Sequence, residues 1–462
     1  MHHYWVTNIR FPRADSATSV TSRVYLLRTR GENRSCVSLT SLPGLAVSTW
    51  LSRMGGTSAF LLANSIPVCA TFHKQNFGIE PKGDIRKVAL DDIPKHDILC
   101  AGSPCQPFSK AGSQPGYDCP KWGDLLEYVI AILKHRKPKY FILENVPNLG
   151  RHDHGTTFQA LRDSLADAGY ETEFDYLSPH HFGVPQVRER IFIVGSRKSL
   201  SGFKSPRPEL IPKPALTRIL DINPVEAKML PDHQLKVIRV WQKFLKASPK
   251  NVELPSFPIW SMEFGATYPF EEQTPYATTL RKLRTYKGSH GVSLKGMSMD
   301  EVIENLPSYA RTTEDTFPKW KVDFIRQNRA FYAANEAWIK PWLPSVLPFA
   351  QSLQKFEWNC KGEDRDIWKY VLQFRASGLR VKRPSSAPSL IAFTTTQVPV
   401  IGWERRYMTA RECARLQSLD SLKHLPDADT RAYKALGNAV NAEVVKRMMS
   451  ALLNTGSDAV RA

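Results

Sequence analysis

The feature that most limits what this chain can fold into is an alternation that runs from about Asp84 to Arg197. Two short apolar runs, "HDILCAG" and "YFILENV", flank a stretch of helical spacing, "GDLLEYVIAILKHRKP", which ends at Lys and Pro as helices often do. Runs this short and this apolar predict buried parallel strands. "RDSLADAGY" predicts the end of a second helix with a Gly stop, and "RIFIVGSR" a further strand. Strands alternating with helices predict a parallel, doubly wound α/β sheet.

From about Lys198 the character changes. "SPRPELIPKPAL" reads as a linker, and the region up to about Val400 is rich in Pro, Trp, Lys and Arg with weak periodicity. It predicts a second, smaller and irregular domain. "MTARECARLQSL" and "NAEVVKRMMSALL" then return to helical spacing. The expected organisation is an unassigned extension over 1–38, a first domain over 39–198, a second over 199–400, and a closing segment over 401–462. There is no internal repeat.

With 462 residues, 42% of them hydrophobic, the chain can build a sizeable core and more than one domain. No run approaches the length of a membrane span, and the basic first thirty residues lack the continuous apolar segment of a secretory signal. A soluble protein of the cell interior is expected. Sixty-three basic against 44 acidic residues leave a net charge of +19, which favours a polyanionic partner or a generically basic surface. The cysteines at 36, 69, 100, 105, 119, 360 and 413 form no CxxC pair and no metal spacing, which argues against a disulfide framework and against structural zinc.

Three stretches carry chemistry. In "CAGSPCQPFSKAG" a turn bounded by two prolines directly follows a predicted strand, placing Cys105 at the carboxyl end of the sheet, where ligands bind in such folds. The alternative is an inert buried thiol. In "FILENVPNLG", Glu144 and Asn145 end another strand at the same rim, and Glu144 either faces a pocket or caps the following helix. A thiol and an acid facing one pocket suit covalent catalysis with general acid support. In "FGVPQVRERIFIVG", strand alternation puts Gln186, Arg188 and Arg190 on one face, suited to phosphate or an electron-rich ring, or else left as a solvated edge.

Taken in order, Pro-Cys-Gln, Glu-Asn-Val, Gln-x-Arg-x-Arg, "RYMTARECARLQSL" and "ALGNAVNAEVV" resemble the DNA (cytosine-5)-methyltransferases over roughly 68–198 and 375–450. The resemblance implies a Rossmann-like fold that uses S-adenosylmethionine, with a variable target-recognition domain in the gap. By that likeness Cys105 is the nucleophile, Glu144 holds and protonates the ring, and Arg188 and Arg190 grip the base and nearby phosphate. Asp84 and Ile85 would flank the cofactor's adenine, Pro104 would touch the cofactor, and Asn438 and Val440 would close its methionine side. Gln106 would meet DNA. Arg380, Lys382 and Arg383, after a loop at Gly378, are candidates for base or phosphate contact, with plain solvated charge nearly as good a reading. "TLRKLRTYKGSHG" is a second basic candidate. Arg411 and Glu412 read as a structural ion pair bracing the small domain. The implied partners are double-stranded DNA and, genetically, a cognate restriction endonuclease. The implied state is a monomer without membrane or metal, in a prokaryotic cytoplasm and on its nucleoid.

One part of the family pattern is missing. The family opens with Phe-x-Gly-x-Gly after its first strand and an acid after its second. The first lets the backbone approach the cofactor, and the second binds its ribose. "LTSLPGLAVSTWLSRMGGTSAFLLANSIP" (39–67) has neither. Read one base out of frame with free choice of synonymous codons, Leu39 to Ser48 can give Asp-Phe-Phe-Ala-Gly-Leu-Gly-Gly-Phe. Ala63 to Pro67 can likewise give Glu-Phe-Asp-Pro. A shifted frame over this stretch is therefore expected, and with it weak or absent activity of the chain as written. Two other classes compete with an active methyltransferase. A DNA-binding relative that has lost its cofactor keeps all the later motifs. A redox or thiol enzyme lacks a catalytic His and leaves the arginine pair unexplained.

Overall fold

The computed structural model describes residues 35–39, 58–62, 74–78, 80–102, 123–208, 215–390 and 397–454, the first two strands as backbone only. The chain divides into two compact units. One holds 1–221, 389–395 and 410–462, and the other 222–388 and 396–409. The breaks fall at Asp221 and near 388–410, where the sequence reading set them at 198 and 400.

The first unit is built on a six-stranded sheet among the described residues. Its strands are β1 (Ser35–Leu39), β2 (Ser58–Leu62), β3 (Ile98–Gly102), β4 (Tyr140–Asn145), β5 (Glu171–Leu177) and β6 (Arg190–Ser196), in the order β2-β1-β3-β4-β6-β5. β1 begins within the stretch 1–38 that the sequence reading left unassigned. β2, β1, β3 and β4 run parallel. β6 is antiparallel to both β4 and β5, which corrects the expectation of a wholly parallel sheet. The cause is local: between β5 and β6 lies only a short 3-10 turn at Pro179–Phe182, too little for the helical crossover that a parallel pair requires.

Helix α1 (Gly123–Arg136) buries Leu126, Val129, Ile132 and Leu133, at helical spacing, against this sheet's core. Each such side chain contributes about 1.5–3 kcal/mol on burial. The helix ends on Lys134 and Arg136, cations that complement its carboxyl end. Helix α2 (Thr156–Asp167) buries Phe158, Leu161 and Leu165. It stops at Gly169, whose φ of +86° only glycine adopts readily, as the Gly stop predicts.

The second unit has helices α3 (Asp232–Ala247) and α4 (Lys319–Ile339). Its sheet comprises β7 (Ile259–Trp260), β8 (Lys355–Asn359), β9 (Val371–Arg375), β10 (Gly378–Lys382), β11 (Val400–Ile401) and β12 (Arg406–Tyr407), in the order β12-β11-β9-β10-β8-β7. On β8 and β10, Phe356, Trp358, Leu379 and Val381 enter the core, where Trp241 of α3 stacks on Phe356 at 4.7 Å. Glu263 of this unit is fully buried, held by Arg329 at 2.9 Å and by the Tyr309 hydroxyl at 2.7 Å. This unit is more regular than weak periodicity suggests. Its strands are two to five residues long, and β8 pairs with β10 at a separation of 23 positions, Phe356 opposite Leu379, so no short window of sequence carries the pattern.

The chain returns to the first unit with α5 (Ala410–Leu416), α6 (Asp429–Asn438) and α7 (Ala442–Asn454). Among the described residues no helix is long and apolar enough to cross a membrane.

Candidate active site

The register of β4 against β6 makes the first part of the site. Glu144 lies opposite Phe192, so Arg190, two residues earlier on β6, projects from the same face at the diagonal position. The guanidinium Nε of Arg190 meets Glu144 Oε1 at 3.1 Å, with 18% and 13% of the two side chains exposed. Removal from water pushes the Glu144 carboxyl above its ordinary range, while the positive charges of Arg190 and Arg188 oppose that rise. The acid is thus poised to carry a proton while paired with a cation.

Ahead of β6 the chain is extended and alternates. Gln186 and Arg188 are buried, while Val187 and Glu189 face outward. Gln186 is fully buried, and neither atom of its amide has a hydrogen-bond partner among the described residues. Arg188 donates through Nη1 to Ser389 Oγ at 3.0 Å and to the Leu390 carbonyl at 2.9 Å. Through Nη2 it donates to the carbonyls of Gly437 at 2.9 Å and Ala439 at 3.2 Å. The solvated-edge reading of these arginines does not hold: Arg188 is 6% exposed.

Asn438 ends α6 half-buried, and Val440 is buried in the turn that follows. Asn441 then caps α7, its Oδ1 accepting from the backbone of Glu443 and Val444. Its Nδ2 reaches back to the Leu416 carbonyl at 3.0 Å, so the three closing helices are locked together. Asp84 caps a short 3-10 turn and accepts from the Arg86 guanidinium at 2.6 and 3.0 Å. That hydrogen bond holds its carboxyl below the usual range. Ile85 is buried in the core of the first unit.

Glu412 is buried and accepts from the backbone of Asp221, the last residue of the first unit's long segment. Where Arg411 and Glu412 were expected to form an ion pair bracing the small domain, the contacts of this helix run within the first unit. Arg411 donates to the Leu422 carbonyl, and the ion pair runs from Arg415 to Asp221 at 2.9 Å.

In the second unit, Arg380 and Lys382 share one face of β10, and Arg383 follows its end. Arg380 pairs with Glu357 at 2.8 Å, and Arg383 pairs with Glu363 at 2.7 Å and donates to the Lys361 carbonyl. Burial, with the charge of Arg380 adding to it, lowers the pKa of Lys382. Gly378 has φ +120° at the start of β10. Pro104, Cys105 and Gln106 lie outside the described residues. Ser389, Leu390 and Gly437 escaped the sequence reading, because a backbone or hydroxyl acceptor for a distant arginine leaves no motif.

Comparison with known proteins supplies the family. The profile described as "C-5 cytosine-specific DNA methylase" matches residues 50–454. Type II methyltransferase M.MspI of Moraxella is 42% identical over 138 residues, 30% of this chain and 33% of that protein. M.HaeII of Haemophilus aegyptius is 41% identical over 41% of this chain and 57% of its own length. The chain therefore spans only about a third to a little over a half of these two relatives. M.NgoBI of Neisseria gonorrhoeae is 38% identical over 286 residues, 62% of this chain and 86% of its own. A profile covering most of the chain, and a relative matched over most of its length, establish that this protein belongs to the C-5 cytosine-specific DNA methylase family.

Proposed function

We propose that the protein transfers a methyl group to C5 of cytosine in a specific double-stranded DNA sequence, as the modifying partner in a restriction-modification system. The observation that carries this reading is the Glu144–Arg190 pair, a carboxyl raised by burial and held at the rim of the sheet by a cation. Cytosine C5 is a poor nucleophile. The Cys105 thiolate adds to C6 while Glu144 gives a proton to N3, and the ring becomes enamine-like with its electron density at C5. S-adenosylmethionine, when bound, supplies the electrophilic methyl. A base then removes the C5 proton, the C6–sulfur bond breaks so that the thiolate leaves, and the N3 proton returns to Glu144. The target carbon is out of reach inside a duplex, so the nucleotide must be flipped out. Arg190, beside Glu144, is the better placed arginine for base or phosphate, since both terminal nitrogens of Arg188 have protein acceptors. The second unit takes the role of recognising DNA, through Arg380, Lys382 and Arg383, with Gln106 assisting.

Two ends of the cofactor have candidate residues in this chain. Asp84 and Ile85, with Pro104, suit the adenine side, and Asn438 and Val440 the methionine side. β1 and β2 end side by side, Leu39 opposite Leu62. The five residues after β2, Ala63 to Pro67, contain no carboxylate to bind ribose hydroxyls. The two family motifs recovered by a shifted frame would begin at these two strand ends. That placement favours the frame shift, and with it a second reading: a DNA-binding protein of this family with impaired cofactor binding.

The decisive experiment is methyl transfer from labelled S-adenosylmethionine to mixed-sequence duplex DNA. Label in cytosine that disappears in Cys105→Ser supports the enzyme. DNA retention with no cofactor binding supports the impaired relative. Neither DNA binding nor transfer removes both.

A further inference from the structure

We propose that Arg188 is a positioning residue for the cofactor-side turn Gly437–Val440, a role distinct from gripping DNA. The inference rests on the reading that this turn closes the methionine end of the cofactor pocket. The last carbonyls of a helix have no partner within it, and a cation there also complements the helix dipole. At the end of α6 the two carbonyls that flank Asn438, those of Gly437 and Ala439, both accept from Nη2 of Arg188. The peptide before Asn438 and the peptide before Val440 are therefore held by one nitrogen, which sets the course of the backbone between them.

The other end of the fork is anchored as firmly. Nη1 is held by Ser389 and Leu390, and the Arg188 backbone N–H donates to Ser178 Oγ at 2.9 Å. The same cation acts on the carboxyl of Glu144. One side chain thus ties the turn to the rim of the sheet that carries the Glu144–Arg190 pair, across 249 positions of sequence. A lysine cannot replace it, because a single ammonium cannot span acceptors on both sides of a planar fork.

The test compares the natural protein with Arg188→Lys, by calorimetry with S-adenosylhomocysteine and by retention of mixed-sequence duplex DNA. Arg188→Lys is expected to weaken S-adenosylhomocysteine by about tenfold or more, while DNA retention changes by less than about twofold. Equal weakening of both ligands by Arg188→Lys, weakening of DNA alone, or no change overturns the proposal. Should Arg188→Lys fail to fold, amide exchange in the natural protein decides. S-adenosylhomocysteine must slow exchange at Gly437 to Asn441, and absence of protection there overturns the positioning role while leaving the methyltransferase reading intact. If the natural chain binds no S-adenosylhomocysteine at all, both fall together.

Discussion

At the scale of single residues, the Glu144 carboxyl is the most informative group. Its folded pKa lies above the ordinary value of 4.5, so the protonated form favours the fold. The stability it contributes is whole below that value and is lost as pH rises through the raised one. Arg190→Ala removes a cation that opposes the rise, so Glu144 should titrate at still higher pH. At pH 8 the variant should lose about 1–3 kcal/mol, because an ionised, half-buried carboxylate is left without its partner. Denaturant midpoints measured across pH for the natural protein, Arg190→Ala and Glu144→Gln test this; a pH-independent loss in Arg190→Ala would refute it. Glu144→Gln keeps the shape and removes the proton, so transfer should fall roughly 10²–10⁴-fold with DNA retention unchanged. The Glu-Asn-Val motif marked the residue. Its cation could not be read from sequence, since the parallel sheet expected there would have placed Arg190 elsewhere.

At the scale of elements, two strand ends and one hairpin carry predictions. β2 ends at Leu62 beside the end of β1, where the family keeps its ribose-binding acid. Asn64→Glu puts a carboxylate two residues past that end and is expected to strengthen S-adenosylhomocysteine binding by about tenfold, read by calorimetry. No gain would mean that the glycine turn, rather than the acid, is the missing part. β10 follows β9 through the two residues Ala376 and Ser377, and Gly378 pairs with Arg375. A Cβ on Gly378 would lie 2.5 Å from the Lys355 carbonyl oxygen, in a backbone conformation other residues rarely adopt. Gly378→Ala should lower stability by about 1–3 kcal/mol in thermal or denaturant unfolding. The loop was legible from the glycine alone. The clash was not, because β8 approaches from outside the local window.

At the scale of the molecule, the net charge of +19 predicts binding to DNA that weakens steeply with salt. A plot of log affinity against log salt should have a slope steeper than about −5, and a slope near zero would argue against phosphate contact. The sequence by itself determined the strand–helix alternation, the strongly positive net charge, and the motif order that marks the family. These are local patterns or sums, and they survive without knowledge of neighbours. Only the tertiary structure decided that β6 runs against β4, which brings Arg190 to Glu144. It also decided that Arg188 meets the end of α6, and that Arg380 and Arg383 already have acidic partners. Those facts depend on register and on contacts between residues far apart in the chain, and a hydrogen bond to a distant carbonyl imprints no periodicity on either of the segments it joins.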